Sequence, residues 1–354
     1  MPPPEPIRLR GTPHGRGRAL GAASAAQARA FLGDGLARLN HVRPDPLGLT
    51  ALGPELRAYG AAIEAATPAL WAELMGFAEA ARLTPEQAVL LQTRREIMGY
   101  SRIPAGGDCT SMARVAGAQA LLAQTVDLTC EMQDQIQVLD IEGEDIAGGA
   151  ALVVSFTGLL GYLGMNAAGL AVGLNLVLAG DWGPGLPPYL AIRHLIDRAD
   201  SVPAALDLLA GLPLASSRTF VLCDREEAAM VEAAEGELRV LRGADLTHAN
   251  HFLHPDFVAR DAINPFARNS SVRRRDAAAA LLAAHPGALG AEQVMAAFAE
   301  APMNVAAPYD MRREKTVAAV AMESRTGTLS LRRGNPAEAR TETFRLRQPA
   351  EIDR

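Results

Sequence analysis

Along the first hundred positions the apolar residues recur at helical spacing. Ala28, Leu32, Leu36 and Leu39 form one series and Leu70, Leu74, Phe77 and Ala81 another, so each predicts a helix with one face to bury. Thr67-Pro68 marks a helix start with a capping hydroxyl ahead of a proline, and Thr84-Pro85-Glu86-Gln87 marks a second with a capping-box glutamine. Ahead of them, residues 9–20 hold Gly11, Pro13, Gly15 and Gly17 and read as a flexible lead-in with room for a first edge strand. The helical pattern ends near Met98, and residues 100–107 form a loop rich in Gly, Pro and Ser.

From Met112 the pattern changes to runs of strand length: 119–126, 136–139, 151–156 and a pair flanking the turn Asn166-Ala167-Ala168-Gly169. A helical stretch follows at 188–209, with Ser201 as cap of its second piece. Residues 218–223, 228–232 and 238–241 then read as an antiparallel meander with polar turns. Helices at 271–284 and 291–300 precede a hairpin of 316–322 with 328–331. Helices, a meander, more helices and more strands predict an α+β fold of stacked sheets covered by helices.

No charged residue occurs from 146 to 180, longer than the roughly 20 residues a membrane helix needs. Eight glycines with Asn166 and Asn175 interrupt that stretch, so it reads as strands buried on both faces. The 354 residues suffice for one large domain or two ordinary ones. A net charge of -6, from 34 basic and 40 acidic residues, gives no footprint for nucleic acid and no polybasic membrane anchor. The three cysteines Cys109, Cys130 and Cys223 are odd in number and lack C-x-x-C spacing, which speaks against a disulfide framework or a metal site. With a first segment unlike a secretory signal, the expectation is a cytoplasmic protein.

Candidate chemistry centres on Gly106-Gly107-Asp108-Cys109-Thr110-Ser111, a glycine turn that delivers a cysteine at the boundary between helices and strands. A glycine-flanked bond can bend enough for the Cys109 thiol to attack its own preceding carbonyl. Cleavage there frees an α-amine, of intrinsic pKa about 7.7 to 8.0, that can serve as base for the thiol without a histidine. The series His248, His251 and His254 does not read as zinc, because a spacing of three puts neighbours on opposite faces of a strand. Asn166 and Asn175 read as turn or buried-backbone residues, and Arg273-Arg274-Arg275 as a solvated helix face.

Asp108-Cys109-Thr110-Ser111, Gln124-Thr125-Val126-Asp127, Gly164-Met165-Asn166-Ala167-Ala168-Gly169, Ala249-Asn250-His251-Phe252 and Gly334-Asn335-Pro336 occur in that order. Together they resemble the isopenicillin-N acyltransferase family of autoproteolytic N-terminal nucleophile hydrolases. The resemblance implies a four-layer αββα sandwich and cleavage between Asp108 and Cys109 into residues 1–108 and 109–354, which stay together as one folded unit. It further implies Cys109 as nucleophile, Asn250 as oxyanion donor and Asp127 as the group orienting the new α-ammonium or a nearby hydroxyl. Thr110, Ser111, Gln124 and Thr125 would support them. Candidate substrate contacts are Arg312 or Arg313, for a carboxylate, with His251 and Phe252. Asp108 stands where the penicillin enzyme has glycine, and Thr125-Val126 replaces its Asn-Trp.

The expected activity is hydrolysis of a small N-acyl amide or short peptide through a thioester on Cys109, with no cofactor. Acyl-CoA-dependent N-acyl transfer is the alternative, and a non-processed binding protein on the same fold is a third reading. Expected partners are the small amide or peptide and the chain's own N-terminal fragment, with neither nucleic acid nor membrane; homo-oligomerisation is left open.

Overall fold

A computed structural model describes residues 5–99, 109–306 and 310–347. The Gly106-Gly107 turn and Asp108 therefore lie outside the described residues. The first part contains β1 (Ile7–Arg10), α1 (Pro13–Gly33), α2 (Leu49–Ala66), α3 (Pro68–Ala81) and α4 (Pro85–Met98). Strands β2 (Ser111–Ala116), β3 (Gln119–Leu128), β4 (Ile136–Glu142), β5 (Ala150–Phe156), β6 (Leu163–Asn166) and β7 (Ala171–Leu176) follow. Next come α5 (Pro188–Arg198) and α6 (Val202–Ala210), then β8 (Arg218–Cys223), β9 (Ala228–Ala234), β10 (Glu237–Arg242) and β11 (Asp245–His248). The chain closes with α7 (Pro255–Val258), α8 (Pro265–Ala284), α9 (Ala291–Phe298), β12 (Lys315–Glu323), β13 (Thr328–Arg333) and β14 (Glu342–Arg345).

The strands make two sheets, β1-β4-β5-β6-β7-β8-β9-β10 and β11-β2-β3-β12-β13-β14. They pack face to face through β2 and β3 against β7, β8 and β9. Alternate side chains sort the smaller sheet: Ala113, Ala120, Leu122, Val320 and Met322 join the core between the sheets. Met112, Leu121, Ala123, Ala319 and Ala321 point outward to Ala278 and Leu282 of α8 and to Val294 and Phe298 of α9. Helices α5 and α6 cover the larger sheet, with α1 packed on β1 and α3 packed on α1. The architecture is the expected α+β four-layer αββα sandwich. The uncharged stretch supplies β5, β6 and β7, buried throughout in the middle of the larger sheet. Among the described residues no helix is long and apolar enough to cross a membrane.

Several expectations need correction. The lead-in does hold an edge strand, β1, paired in parallel with β4, but Gly15 and Gly17 belong to helix α1 rather than to a flexible segment. They permit contact: a Cβ on Gly17 would lie 1.8 Å from Glu73 O, and one on Gly76 would lie 2.2 Å from His14 O. Backbone of α1 and α3 meets where a glycine is the only side chain that fits. The series Ala28, Leu32, Leu36, Leu39 is not one helix face, because α1 stops at Gly33 and Leu36 has φ of 56°. Thr67 makes no side-chain cap to α3; its hydroxyl donates to Ile63 O at the end of α2. Helix α2, with Pro54 inside it, and the edge strands β11 and β14 were not legible from spacing. Thr84 with Gln87, and Ser201, cap their helices as expected.

Candidate active site

Cys109 and Thr110 lead straight into β2, whose register pairs Ser111 with Gln124 on β3 and with His248 on β11. Two hydrogen bonds fix the turn into the strand: Thr110 N donates to Thr125 Oγ1 at 3.0 Å, and Thr125 N donates to Thr110 O at 2.9 Å. Cys109 is consequently buried, 2% exposed, between the sheets. Its peptide nitrogen donates to Asn250 Oδ1 at 3.2 Å, while its carbonyl oxygen accepts from Asn175 Nδ2 at 3.1 Å and Arg274 Nη1 at 2.7 Å.

Arg274 is the residue that sequence reading misplaced. Arg273 is exposed, but Arg274 is fully buried and donates to three groups of the site. Besides Cys109 O, Nη1 reaches Thr110 Oγ1 at 3.0 Å and Nη2 reaches Asn250 Oδ1 at 2.8 Å. The buried stripe of α8 is Ala267, Ser271, Arg274, Ala278 and Leu282, a helical spacing, so a serine and an arginine on an otherwise apolar stripe were the available signal. Asp127 faces Arg274 at 4.0 Å and accepts from Thr316 Oγ1 at 2.7 Å. The carboxylate thus holds a hydroxyl and opposes the guanidinium. Asn175 satisfies buried backbone as expected, its Nδ2 donating to Cys109 O, and its Oδ1 also accepts from Ser111 Oγ, which brings it into the site. Asn166 keeps its turn role, accepting from Gly169 and Leu170 N–H.

The orientation of Asn250 follows from donor and acceptor chemistry. Its Oδ1 faces the donor-only guanidinium of Arg274, and Nδ2 donates to Leu176 O at 2.9 Å. Asn250 N donates to Ser271 Oγ at 2.6 Å, so the serine proton is free to go to His251 Nδ1, 2.7 Å away. That ring must be neutral to accept it, and burial, with the charges of His248, Arg268 and Arg275 adding, pushes the His251 pKa down to about 4. On the other side His248 Nε2 lies 3.0 Å from Glu232 Oε1. Burial opposes the Glu232 carboxylate, yet His248 and the N–H groups of Leu253 and His254 hold it below its usual range. His254 caps α7. The three histidines accordingly serve three different partners.

Gln124 accepts from Leu174 N at 2.9 Å, tying β3 to β7 across the sheets. Of the substrate-contact candidates none reaches the cysteine recess. Phe252 packs on Phe257 at 5.3 Å, Arg312 is exposed and turned to Asp310, and Arg313 donates its backbone N–H to Asp310 O. The recess that Cys109 lines is walled instead by Leu128, Tyr162, Leu174, Leu176 and Tyr189, with Arg95 and Arg218. Arg218 is compensated: it pairs with Glu96 at 3.1 Å and stacks over Trp182 at 4.9 Å.

A profile of the acyl-coenzyme A:6-aminopenicillanic acid acyl-transferase family matches residues 115–338. A curated relative from Emericella nidulans, acyl-coenzyme A:6-aminopenicillanic-acid-acyltransferase 40 kDa form, is 26% identical over 203 residues. The match spans 56% of this chain and 56% of the relative. Among solved structures, a mutant conjugated bile acid hydrolase from Clostridium perfringens superposes with a TM-score of 0.49 at 11% identity, covering 68% of this chain and 97% of its own. Penicillin V acylase from Agrobacterium tumefaciens gives 0.44 at 14% identity, over 67% of this chain and 86% of its own. The N-acylethanolamine-hydrolyzing acid amidase ortholog of Caenorhabditis elegans gives 0.48 at 14%, over 68% and 100%. With the profile spanning well over half its length, the chain belongs to the acyl-coenzyme A:6-aminopenicillanic acid acyl-transferase family.

Proposed function

We propose that the protein is a self-cleaving cysteine amidohydrolase of the N-terminal nucleophile type, acting on a small N-acyl amide or short peptide. The observation that carries this reading is the peptide nitrogen of Cys109 held on Asn250 Oδ1, with its carbonyl held by Asn175 and Arg274. In the cleavage step Cys109 Sγ attacks the carbonyl carbon of Asp108. The C–N bond breaks, the nitrogen takes up a proton as the new α-amine, and water opens the resulting thioester. Asn250 Oδ1 is then already in place as acceptor for that amine.

In the working enzyme the α-amine takes the thiol proton and the thiolate attacks the substrate carbonyl. The amine leaves with that proton, and water, deprotonated by the α-amine, releases the acid from the thioester. Arg274 puts a positive charge where thiolate and oxyanion form. One Nδ2 hydrogen of Asn250 is engaged by Leu176 O, and the other is assigned to the oxyanion. Asp127 keeps Arg274 and Thr316 in position. The nucleophile, amide and carboxylate gathered in one buried site argue against a noncatalytic binding protein.

Acyl transfer from a coenzyme A thioester is the second reading, favoured by the name of the Emericella nidulans relative. Water and amine compete for the same thioester, and exclusion of water from the acceptor side selects the amine. The test is a library of N-acyl amines incubated with processed protein, with and without acyl-coenzyme A, and product masses recorded. Release of free acid without the thioester is expected; turnover only when acyl-coenzyme A is present would overturn the hydrolase reading in favour of transfer.

A further inference from the structure

The loop that carries Asn250 is held at both of its ends by one carboxylate from the opposite sheet. Glu232 lies on β9 of the larger sheet and is fully buried, as is His248 at the end of β11 in the smaller one. Where the loop begins, His248 Nε2 lies 3.0 Å from Glu232 Oε1. Where it ends, the N–H groups of Leu253 and His254 donate to Glu232 Oε1 at 2.6 Å and Oε2 at 3.0 Å. One carboxylate thus spans the whole loop.

A second hold acts on the peptide plane of Asn250 itself. His248 Nδ1 lies 2.7 Å from Ala249 O, which can only accept, so the ring donates to the carbonyl side of the Ala249-Asn250 peptide. The nitrogen side of the same plane donates to Ser271 Oγ at 2.6 Å. A planar peptide fixed at both its oxygen and its nitrogen cannot turn without losing one of these buried bonds. The side chain it aims is the one whose Oδ1 accepts from Cys109 N at 3.2 Å and whose Nδ2 donates to Leu176 O at 2.9 Å. A displacement of about 1 Å in such a group can cost about a hundredfold in rate. Resting on the reading of Asn250 as oxyanion donor, we propose that Glu232 and His248 are positioning residues for that amide. Glu232 fixes the His248 ring, the ring fixes the peptide, and the peptide aims Asn250 at Cys109.

Glu232→Gln tests this, because it keeps the shape but leaves one acceptor oxygen and turns an NH2 group toward an N–H donor. Hydrogen exchange is compared between Cys109→Ala and Cys109→Ala combined with Glu232→Gln, so that no acyl chemistry takes part. The Asn250 amide should exchange about tenfold or more faster with the glutamine, while amides of β3 and β12 keep their rates. Acylation is then read on processed wild type and processed Glu232→Gln as the burst of 4-nitrophenolate from 4-nitrophenyl hexanoate. Alkylation of Cys109 by iodoacetamide, a displacement that forms no oxyanion, is the control. The burst should slow by about tenfold or more, and alkylation should change by less than about twofold. Unchanged exchange at Asn250, or a burst as fast as that of wild type, overturns the proposal. So does an equal loss of burst and alkylation, which marks general damage to the site. If exchange responds as expected but wild type shows no burst, the amidase reading fails and the hold on Asn250 stands. Should Glu232→Gln fail to fold by circular dichroism or fail to be processed, His248→Gln, which leaves the carboxylate its two backbone partners, is measured in the same way and decides.

Discussion

At the scale of single residues, Arg274 concentrates the electrostatics of the site. It is fully buried, touches Cys109, Thr110 and Asn250, and faces the Asp127 carboxylate at 4.0 Å. Removing one member of such a buried pair leaves the other uncompensated, a cost of about 3 to 5 kcal/mol. Arg274→Met should therefore lower the melting temperature and slow self-cleavage by about a hundredfold or more. Arg274→Lys should restore part of the stability but little of the rate, because a lysine cannot span Cys109 O and Asn250 Oδ1 with a planar fork. Thermal melts and a time course of fragment formation check both; wild-type cleavage in Arg274→Met would remove Arg274 from the site. This residue shows why single-sequence reading stopped short. Cys109, Asp127 and Asn250 sit in short motifs, whereas Arg274 lies in a run of three arginines whose fates differ only because the helix turns. The reach of Asn175 into the site was opaque for a related reason: its partners Ser111 and Cys109 are more than sixty residues away.

At the scale of elements, the amide of Asn250, the proposed oxyanion donor, is carried just after β11 and locked to α8 through Ser271. The chain His251, Ser271, Asn250 N requires a neutral imidazole, which gives the seam a pH dependence. His251 titrates at about 4 in the fold, against about 6.5 in an unfolded chain. Between those values the unfolded state binds the extra proton, so stability falls as pH falls through that window and the loss levels off below about 4. The slope from this one group is about 1.4 kcal/mol per pH unit. Denaturant midpoints between pH 7 and 4, measured for wild type and His251→Gln, should show a slope in the first that is reduced in the second; identical slopes would refute the role of His251. Element types were largely legible in this region, the meander and the late hairpin included, since strands with polar turns announce themselves by local pattern. Helix α1 was not, because glycines that allow a close helix crossing look, in one dimension, like glycines that make a loop.

At the scale of the whole molecule, the two proposed fragments are joined by more than the peptide at Cys109. Strand β1 pairs in parallel with β4, Arg16 grips Asp145 at 2.7 Å, and Glu73 of α3 receives both Nη groups of Arg193 at 2.9 and 3.0 Å. These contacts cross the proposed cleavage point and bury charge only in matched groups. They support a cleaved protein that stays one unit. Uniform burial predicts the layers from sequence, but the ion pairs that stitch them lie more than a hundred residues apart and leave no local trace.

The central claim is that Cys109 is released as a new amino terminus and works as one. Freshly purified wild type and Cys109→Ala, run on a denaturing gel with terminal sequencing of each band, test it directly. Wild type should give two bands, the larger beginning Cys109-Thr110-Ser111, that co-elute before denaturation, and Cys109→Ala should give one. A single full-length band for wild type, or two bands for Cys109→Ala, would contradict the account.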